Sequence, residues 1–593
     1  MPHALTIFAP GQTALPPLAH VRTEHPGSRQ LVWICPAAPS TEWLQQACLP
    51  LAATPEEQVP LQQAIQQQAW GLLPGWHRLP LLPGWHRLPL LPGRLDLHLA
   101  IGDPWQLLRE ASGHFAHITL SANLLQQADR SQREGLAAGL SALARHGTLL
   151  QLDRADTPLP EDWLAQLRAR GWEPATELTA GSLRFAPRWR TASAPAAVPR
   201  QATVIGAGLS GSAVARSLAE RGWQVTVLDR AARPAAGASG LPVGLVVPHS
   251  SADDTLISRV IRAGIRSTLQ RAQKLLQPGE DWAATGVLEH CVDGKSKLPR
   301  QWLADADDAP DWISASHPWA SAATSRQIQD AGLPAHATAV WHDCAAWIKP
   351  WRLVQAQLEH PNIRFIGNTA VHALQRSQAD APWQLLDAAG TLIGETDLLV
   401  LTAGFDSRQL LQSLQQTLPL NPLRGQVAWG WQDQAHDALP AVPVNGKGSL
   451  ACHIPWQTSA QNGSIWITGS TFTRSDNSPD VRKQEFPEIW QKLQLLHPAA
   501  ADILHDDFDH ARGHGWAGVR ATLPDRLPAV GALSVQPGVL KGLQLSCGMG
   551  ARGLSLSVLA GELLAAQLHD EPWPLEKRLA RLLAASRWLD KTS

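Results

Sequence analysis

The chain has 593 residues, 44% of them hydrophobic and 17% charged, with 50 Lys+Arg against 51 Asp+Glu for a net charge of −1. That length is too great for one core, and the balanced charge excludes a global field that would draw in nucleic acid from a distance, so such a partner must be met by a local patch. Six scattered cysteines without a CxxC pair exclude a disulfide framework or a zinc ribbon, and the absence of tyrosine excludes any mechanism that needs a phenol.

No apolar run is long enough for a membrane span and the N-terminus lacks the pattern of a signal peptide, so a soluble cytoplasmic protein is expected. The first segments alternate: strand-like QLVWIC (30–35), LDLHLAIG (95–102), HITLS (117–121) and GTLLQLD (147–153), with a helical stretch at Glu134–Arg145. Such alternation predicts an α/β layer. Between Leu72 and Arg94 the nonapeptide LLPGWHRLP occurs twice and begins a third time. Too few copies exist to stack a solenoid, so a duplicated loop is expected. Pro and Ala then cluster at 187–200, a linker between a first domain (1–186) and a second (201–593).

The second domain opens with TVIGAGLSGSAVARSLAERGWQVTVLDR (203–230), whose strand, glycine turn, helix and second strand form a βαβ unit. Gly206, Ala207, Gly208 and Gly211 lie in a GxGxxG turn that lets a pyrophosphate approach a helix N-terminus, and Asp229 is placed for a ribose hydroxyl. Helical pieces and short strands follow to about 400. Short alternating segments from 420 to 535 predict an antiparallel sheet. The end, 543–568, again reads strand, glycine turn, long helix; Arg552 and the amides of 550–554 are candidates to stabilise negative charge on a flavin. No His spacing suited to a metal occurs, and no metal is expected.

In combination, VIGAGLSG (204–211), GASGLPVGLVVPHSSADD (237–254), AAWIKP (345–350), LTAGF (401–405), PLRGQV (422–427), WAGVRATLPDRLPAVG (516–531) and GMGARGL (548–554) span about 350 residues. They resemble the flavin-dependent oxidoreductases of the glycine, sarcosine and D-amino-acid oxidase group, and within it the oxidase half of the bifunctional tRNA 5-methylaminomethyl-2-thiouridine biosynthesis proteins. The resemblance implies an α/β, Rossmann-type FAD-binding domain (about 201–290, 345–410 and 520–570) with an α+β substrate domain (about 291–344 and 411–519) built on an antiparallel sheet. It implies non-covalent FAD held by Gly206, Ala207, Gly208, Gly211, Asp229, Ser239, Gly240, Val371 on a VHAL strand, Ala403, Gly404, Gly550, Gly553 and Leu554. Arg520 would bind the substrate carboxylate and Arg552 would sit near the flavin. Lys349 and His249 lie in motifs facing that region, with plain surface positions as the competing reading.

The implied reaction removes the carboxymethyl group from 5-carboxymethylaminomethyl-uridine at the wobble position of tRNA, with dioxygen as electron acceptor. A free amino-acid oxidase and a non-catalytic FAD-binding scaffold are the alternatives. The first domain resembles the methyltransferase half of the same proteins with two departures: residues 1–29 contain no GxGxG, and HITLSANLL (117–125) has neither the acid nor the proline of the catalytic segment. A degenerate Rossmann-like methyltransferase domain is therefore expected, which leaves S-adenosylmethionine binding in doubt. Oligomeric state is not legible.

Overall fold

The computed structural model describes residues 3–9, 29–36, 39–52, 55–70, 72, 85–91, 95–154, 157–175, 181–189, 200–296, 298, 319–509, 513–533 and 540–588. Most of the 187–200 linker lies outside them. The described residues form two compact units, one taking the chain up to 189 together with 565–580, the other the remainder.

In the first unit β1 (Ala4–Ile7), β2 (Arg29–Cys35), β3 (Trp85–Leu91), β4 (Leu95–Ile101), β5 (Phe115–Leu120), β6 (Ala144–Leu152), β7 (Trp172–Pro174) and β8 (Leu183–Phe185) make one sheet, ordered β3-β4-β2-β1-β5-β6-β8-β7. The run β4-β2-β1-β5-β6 is parallel. Both faces are therefore covered, and the period of two divides the core: Leu31, Trp33 and Cys35 point into the cluster of Leu44, Leu61 and Ile65, while Val32 and Ile34 join Leu107, Leu136 and Trp163. The helix Arg130–Ala142 opens on a capping box between Asp129 and Gln132, a device that contributes about 1 kcal/mol.

The second copy of the nonapeptide is not a loop. Its WHRLP begins β3, which pairs antiparallel with β4. A strand carrying Pro89 is tolerated because β3 is the sheet edge, where a missing N–H breaks no inner ladder. The first copy lies outside the described residues beyond Leu72.

Residues 565–580 complete this unit. His114 Nδ1 lies 2.8 Å from Asp570 Oδ2, the Trp573 amide donates to Ser112 Oγ at 2.8 Å, and the Arg578 amide donates to Glu110 Oε2 at 2.8 Å.

The second unit starts with β9 (Gln201–Ile205), α1 (Leu209–Ala219), β10 (Gln224–Leu228) and α2 (Leu256–Leu275), then β11 (Ile363–Ile366) and β12 (Leu398–Leu401). Four long strands follow, β13 (Asn421–Trp431), β14 (Gly448–Gln457), β15 (Asn462–Gly469) and β16 (His514–Thr522), and the unit closes with β17 (Ala529–Ala532), β18 (Leu543–Cys547) and α3 (Gly553–His569). Among the described residues a six-stranded sheet runs β11-β10-β9-β12-β18-β17, parallel except for β17. The long strands belong to a second, larger sheet in which β15 and β16 flank β13, all antiparallel. Glu562 on α3 ties three segments together: Arg271 of α2 at 2.7 Å, Arg221 at 3.1 Å and Ser217 of α1 at 2.8 Å all donate to its carboxylate.

No helix among the described residues is long and apolar enough to cross a membrane.

Candidate active site

The site is built where β9 meets α1. Gly206 turns with φ +108°, and a Cβ there would lie 2.8 Å from the Thr402 carbonyl oxygen. At Gly211 a Cβ would fall 1.8 Å from Gly206 O, so only glycine lets α1 approach its own strand. Thr402 Oγ1, just beyond β12, lies 2.8 and 2.9 Å from the carbonyl oxygens of Ile205 and Gly206, so Ala403 and Gly404 continue alongside this turn. Gly208 is the N-cap of α1 and contributes no side-chain cap. The first turn thus presents backbone amides and the positive end of the helix, an arrangement suited to a pyrophosphate.

Asp229 follows β10. Its carboxylate accepts the Ala207 amide at 2.7 Å on one oxygen and the Ala231 amide at 2.8 Å on the other. Each oxygen retains a lone pair for a ribose hydroxyl. Ser239 Oγ accepts the Leu209 amide at 2.9 Å, and Gly240 ends the short helix Ala238–Gly240. The amides of Asn368 and Thr369 donate to the carbonyls of Ala231 and Asp229, which brings this loop beside the carboxylate. Val371 continues the loop, and the strand expected to hold it begins only at Ala373.

The second glycine cluster returns to the same place. Met549 bridges to Thr522 at the end of β16, Gly550–Arg552 form a short helix, and α3 begins at Gly553. Gly553 faces α1: a Cβ on it would lie 3.4 Å from Leu209 Cδ1. Leu554 is buried, and its carbonyl accepts from Thr268 of α2 at 2.6 Å. Arg552 Nη1 donates to the Arg526 carbonyl at 3.2 Å. Burial first, and the neighbouring Arg526 charge second, hold its guanidinium below the usual arginine range.

The strand β16 connects these loops to the arginine. Trp516, Gly518 and Arg520 share one face, with Trp516 beside Gly240 and Gly518 against Ala238. Arg520 Nη1 is buried and has no hydrogen-bond partner among the described residues. Desolvation lowers its pKa, with no carboxylate to offset it. A guanidinium taken out of water and left unpaired is costly, and it marks a place where an anionic group belongs.

Its seat is made by Gly425 on β13, where a Cβ would come within 2.7 Å of Arg520 Nη1. The neighbours of Gly425 face the other way. Arg424 is fully buried and pairs with Glu485, whose other oxygen accepts from Thr471 Oγ1 at 2.6 Å, while the Gln426 carboxamide bonds both the amide and the carbonyl of Arg482. Phe472, beside Thr471, lies with its ring centroid 5.2 Å from Arg520 Cζ.

The structure thus brings together the expected residues 206–211, 229, 239–240, 403–404, 520 and 550–554. Lys349 is not at the surface: it is buried, with Nζ 3.3 Å from Glu280 Oε1 and 5.5 Å over the Trp456 ring. His249 is exposed and bonds Ser258 Oγ at 3.0 Å. Sequence reasoning missed Thr402, Phe472 and the roles of Arg424, Gly425 and Gln426. The RGQ motif flagged these last three, but which of them faces the arginine follows only from the β13–β16 register. No cluster that could hold a metal occurs among the described residues.

In the first unit the strand order reverses between β1 and β5, the place at which such sheets generally bind a ligand. Its equipment differs. Phe8-Ala9 follows β1 where the second unit has Gly206-Ala207, β2 ends in Cys35-Pro36 where β10 is followed by Asp229, and buried Ser121 follows β5.

Residues 201–567, which carry both the dinucleotide turn and the antiparallel sheet, match the family described as FAD dependent oxidoreductase, and the chain is of that class. The fold also occurs in the crystal structure of L-proline dehydrogenase from P. horikoshii, with a TM-score of 0.51 at 16% identity over 67% of this chain and 99% of that one. Over both units the chain is 41% identical to the tRNA 5-methylaminomethyl-2-thiouridine biosynthesis bifunctional protein MnmC of Polaromonas naphthalenivorans (90% of this chain, 82% of that protein). It is 42% identical to the protein of the same name from Polaromonas sp. JS666 (89% and 82%). The chain belongs to this family of bifunctional proteins.

Proposed function

We propose that the second unit oxidises the carboxymethylamino group of 5-carboxymethylaminomethyl-(2-thio)uridine at the tRNA wobble position, releasing glyoxylate and the aminomethyl nucleoside. The observation that carries this reading is Arg520, whose buried Nη1 has no hydrogen-bond partner among the described residues, on the strand whose Trp516 and Gly518 pack on the 238–240 loop. Its fork suits a carboxylate bidentately, and the substrate is in effect an N-substituted glycine. The tRNA reading draws on the names of the relatives.

The cradle at Gly206, Gly208, Gly211 and Asp229 fits FAD, which when bound supplies the acceptor for the two electrons and hydrogen leaving the glycine CH₂. The chain's own residues do the rest. Arg520 fixes the carboxylate and so aims that carbon; Trp516 and the Gly240 loop line the approach; the half-buried Arg552 sets positive charge at the start of α3. The positive charges of Arg520 and Arg552 favour the neutral amine that the reaction requires. Water then adds to the resulting imine, and the C–N bond breaks.

The first unit, on this reading, has lost methyl transfer, because residues 1–29 contain no GxGxG and Cys35-Pro36 stands after β2 where the second unit has Asp229. Purified protein, under air, is to be mixed with tRNA bearing the carboxymethylaminomethyl base, with and without S-adenosylmethionine, and the digested nucleosides identified by mass. Aminomethyl product in both samples is expected. Methylaminomethyl product would overturn the reading of the first unit, and unchanged tRNA would transfer the proposal to a free amino acid.

A further inference from the structure

Phe472 is unusual twice over. It is one of few large apolar side chains left in water, 55% exposed, and it lies against the orphan guanidinium, with Arg520 Cζ at 5.2 Å and Lys492 Nζ at 5.7 Å from its ring centroid. Its position is not loose. Thr471 beside it is fixed to Glu485 Oε2 at 2.6 Å and, through its amide, to Gln426 O at 3.0 Å, while Lys492 Nζ donates to Ser470 O at 3.0 Å. The RGQ strand thus holds an exposed phenyl ring in place next to the group that takes the carboxylate.

We propose that Phe472 is a specificity-determining residue: the pyrimidine ring of the modified nucleotide stacks on it while the carboxylate of the same nucleotide binds Arg520. This rests on the proposed function and adds the element that separates a nucleoside from a free amino acid. The geometry matches the substrate. The arm from the pyrimidine C5 through methylene, nitrogen and methylene to the carboxyl carbon spans about 5 Å from ordinary bond lengths, so one nucleotide can carry a base to the exposed part of the ring and a carboxylate to the guanidinium that lies 5.2 Å from its centroid. A sequence-tolerant aromatic platform is how unstacked bases are commonly held, and a base laid on the ring would cover the apolar surface that Phe472 leaves in water.

The test compares the holoenzyme with Phe472→Ala and Phe472→Trp on two substrates, an anticodon stem-loop carrying the carboxymethylaminomethyl base and N-methylglycine, which has no base. Phe472→Ala is expected to raise KM for the stem-loop about tenfold or more with kcat little changed. Its effect on affinity for N-methylglycine, read from the perturbation of flavin absorbance, should be several-fold smaller than on the stem-loop, and Phe472→Trp should restore the stem-loop KM. Equal losses on both ligands would overturn the proposal, since Phe472 would then act only through Arg520; an unmoved stem-loop KM would also overturn it. A wild-type protein that binds N-methylglycine but neither binds nor oxidises the stem-loop would bring down the tRNA reading and this one together, whereas normal stem-loop oxidation with an unaffected Phe472→Ala enzyme sinks this one alone.

Discussion

At the scale of the residue, the most informative group is the one left without a partner. If Arg520 waits for a carboxylate, Arg520→Met should lower kcat/KM by about two to three orders of magnitude. The variant should nevertheless melt at the same temperature or higher, because it removes a desolvated charge that has no carboxylate partner; a large fall in Tm would make Arg520 structural instead. Gly425→Ala tests the same seat from the other side, since the added methyl meets Nη1. It should reproduce the kinetic loss while FAD stays bound, as judged by the flavin spectrum. In the first unit His3 is buried with neither ring nitrogen bonded among the described residues, and desolvation, opposed in part by Glu571, lowers its pKa to about 4. A histidine depressed in the folded state is neutral there while the unfolded chain takes up a proton below about 6.5, so the native state loses stability as pH falls from 6.5 toward 4, by up to about 3 kcal/mol. His3→Leu should flatten the pH dependence of Tm across that window.

At the scale of the element, α1, α2 and α3 are locked by one carboxylate. Glu562→Ala would strand Arg221 and Arg271 in the interior and should cost about 3–5 kcal/mol, measurable by denaturant unfolding of the holoenzyme. Elements such as β9-α1-β10 were readable in advance because local rules agree there: apolar period in the strands, glycines at the turn, a carboxylate at the end of the second strand. The helix Leu256–Leu275 and the antiparallel strands from Asn421 onward were equally visible in their periodicity. What escaped was set by partners distant in sequence. β3 looks like a proline-rich loop until β4 offers it an edge, Lys349 looks like surface until Glu280 and Trp456 enclose it, and the meaning of Gly425 appears only when β16 is laid beside β13. The arginine itself was found through a family motif; nothing in its local spacing distinguishes it from other arginines of the chain.

At the scale of the whole molecule, two units with parallel sheets and reversed strand order carry unequal equipment. S-adenosylmethionine should give no heat of binding in calorimetry, whereas FAD should bind, and a measurable S-adenosylmethionine heat would contradict the loss argued from the missing GxGxG, Cys35 and Ser121. The first unit also contains a segment from the far end of the chain: Asp570, Trp573 and Arg578 bond His114, Ser112 and Glu110. During synthesis, Ser112 and His114 leave the ribosome more than 450 residues before these partners, so the part of the protein made first is the part that must wait longest to be finished. A premature stop near the C-terminus would therefore do its damage at the opposite end of the gene product, leaving the segment Glu110–His114 without its partners and open to proteases and chaperones.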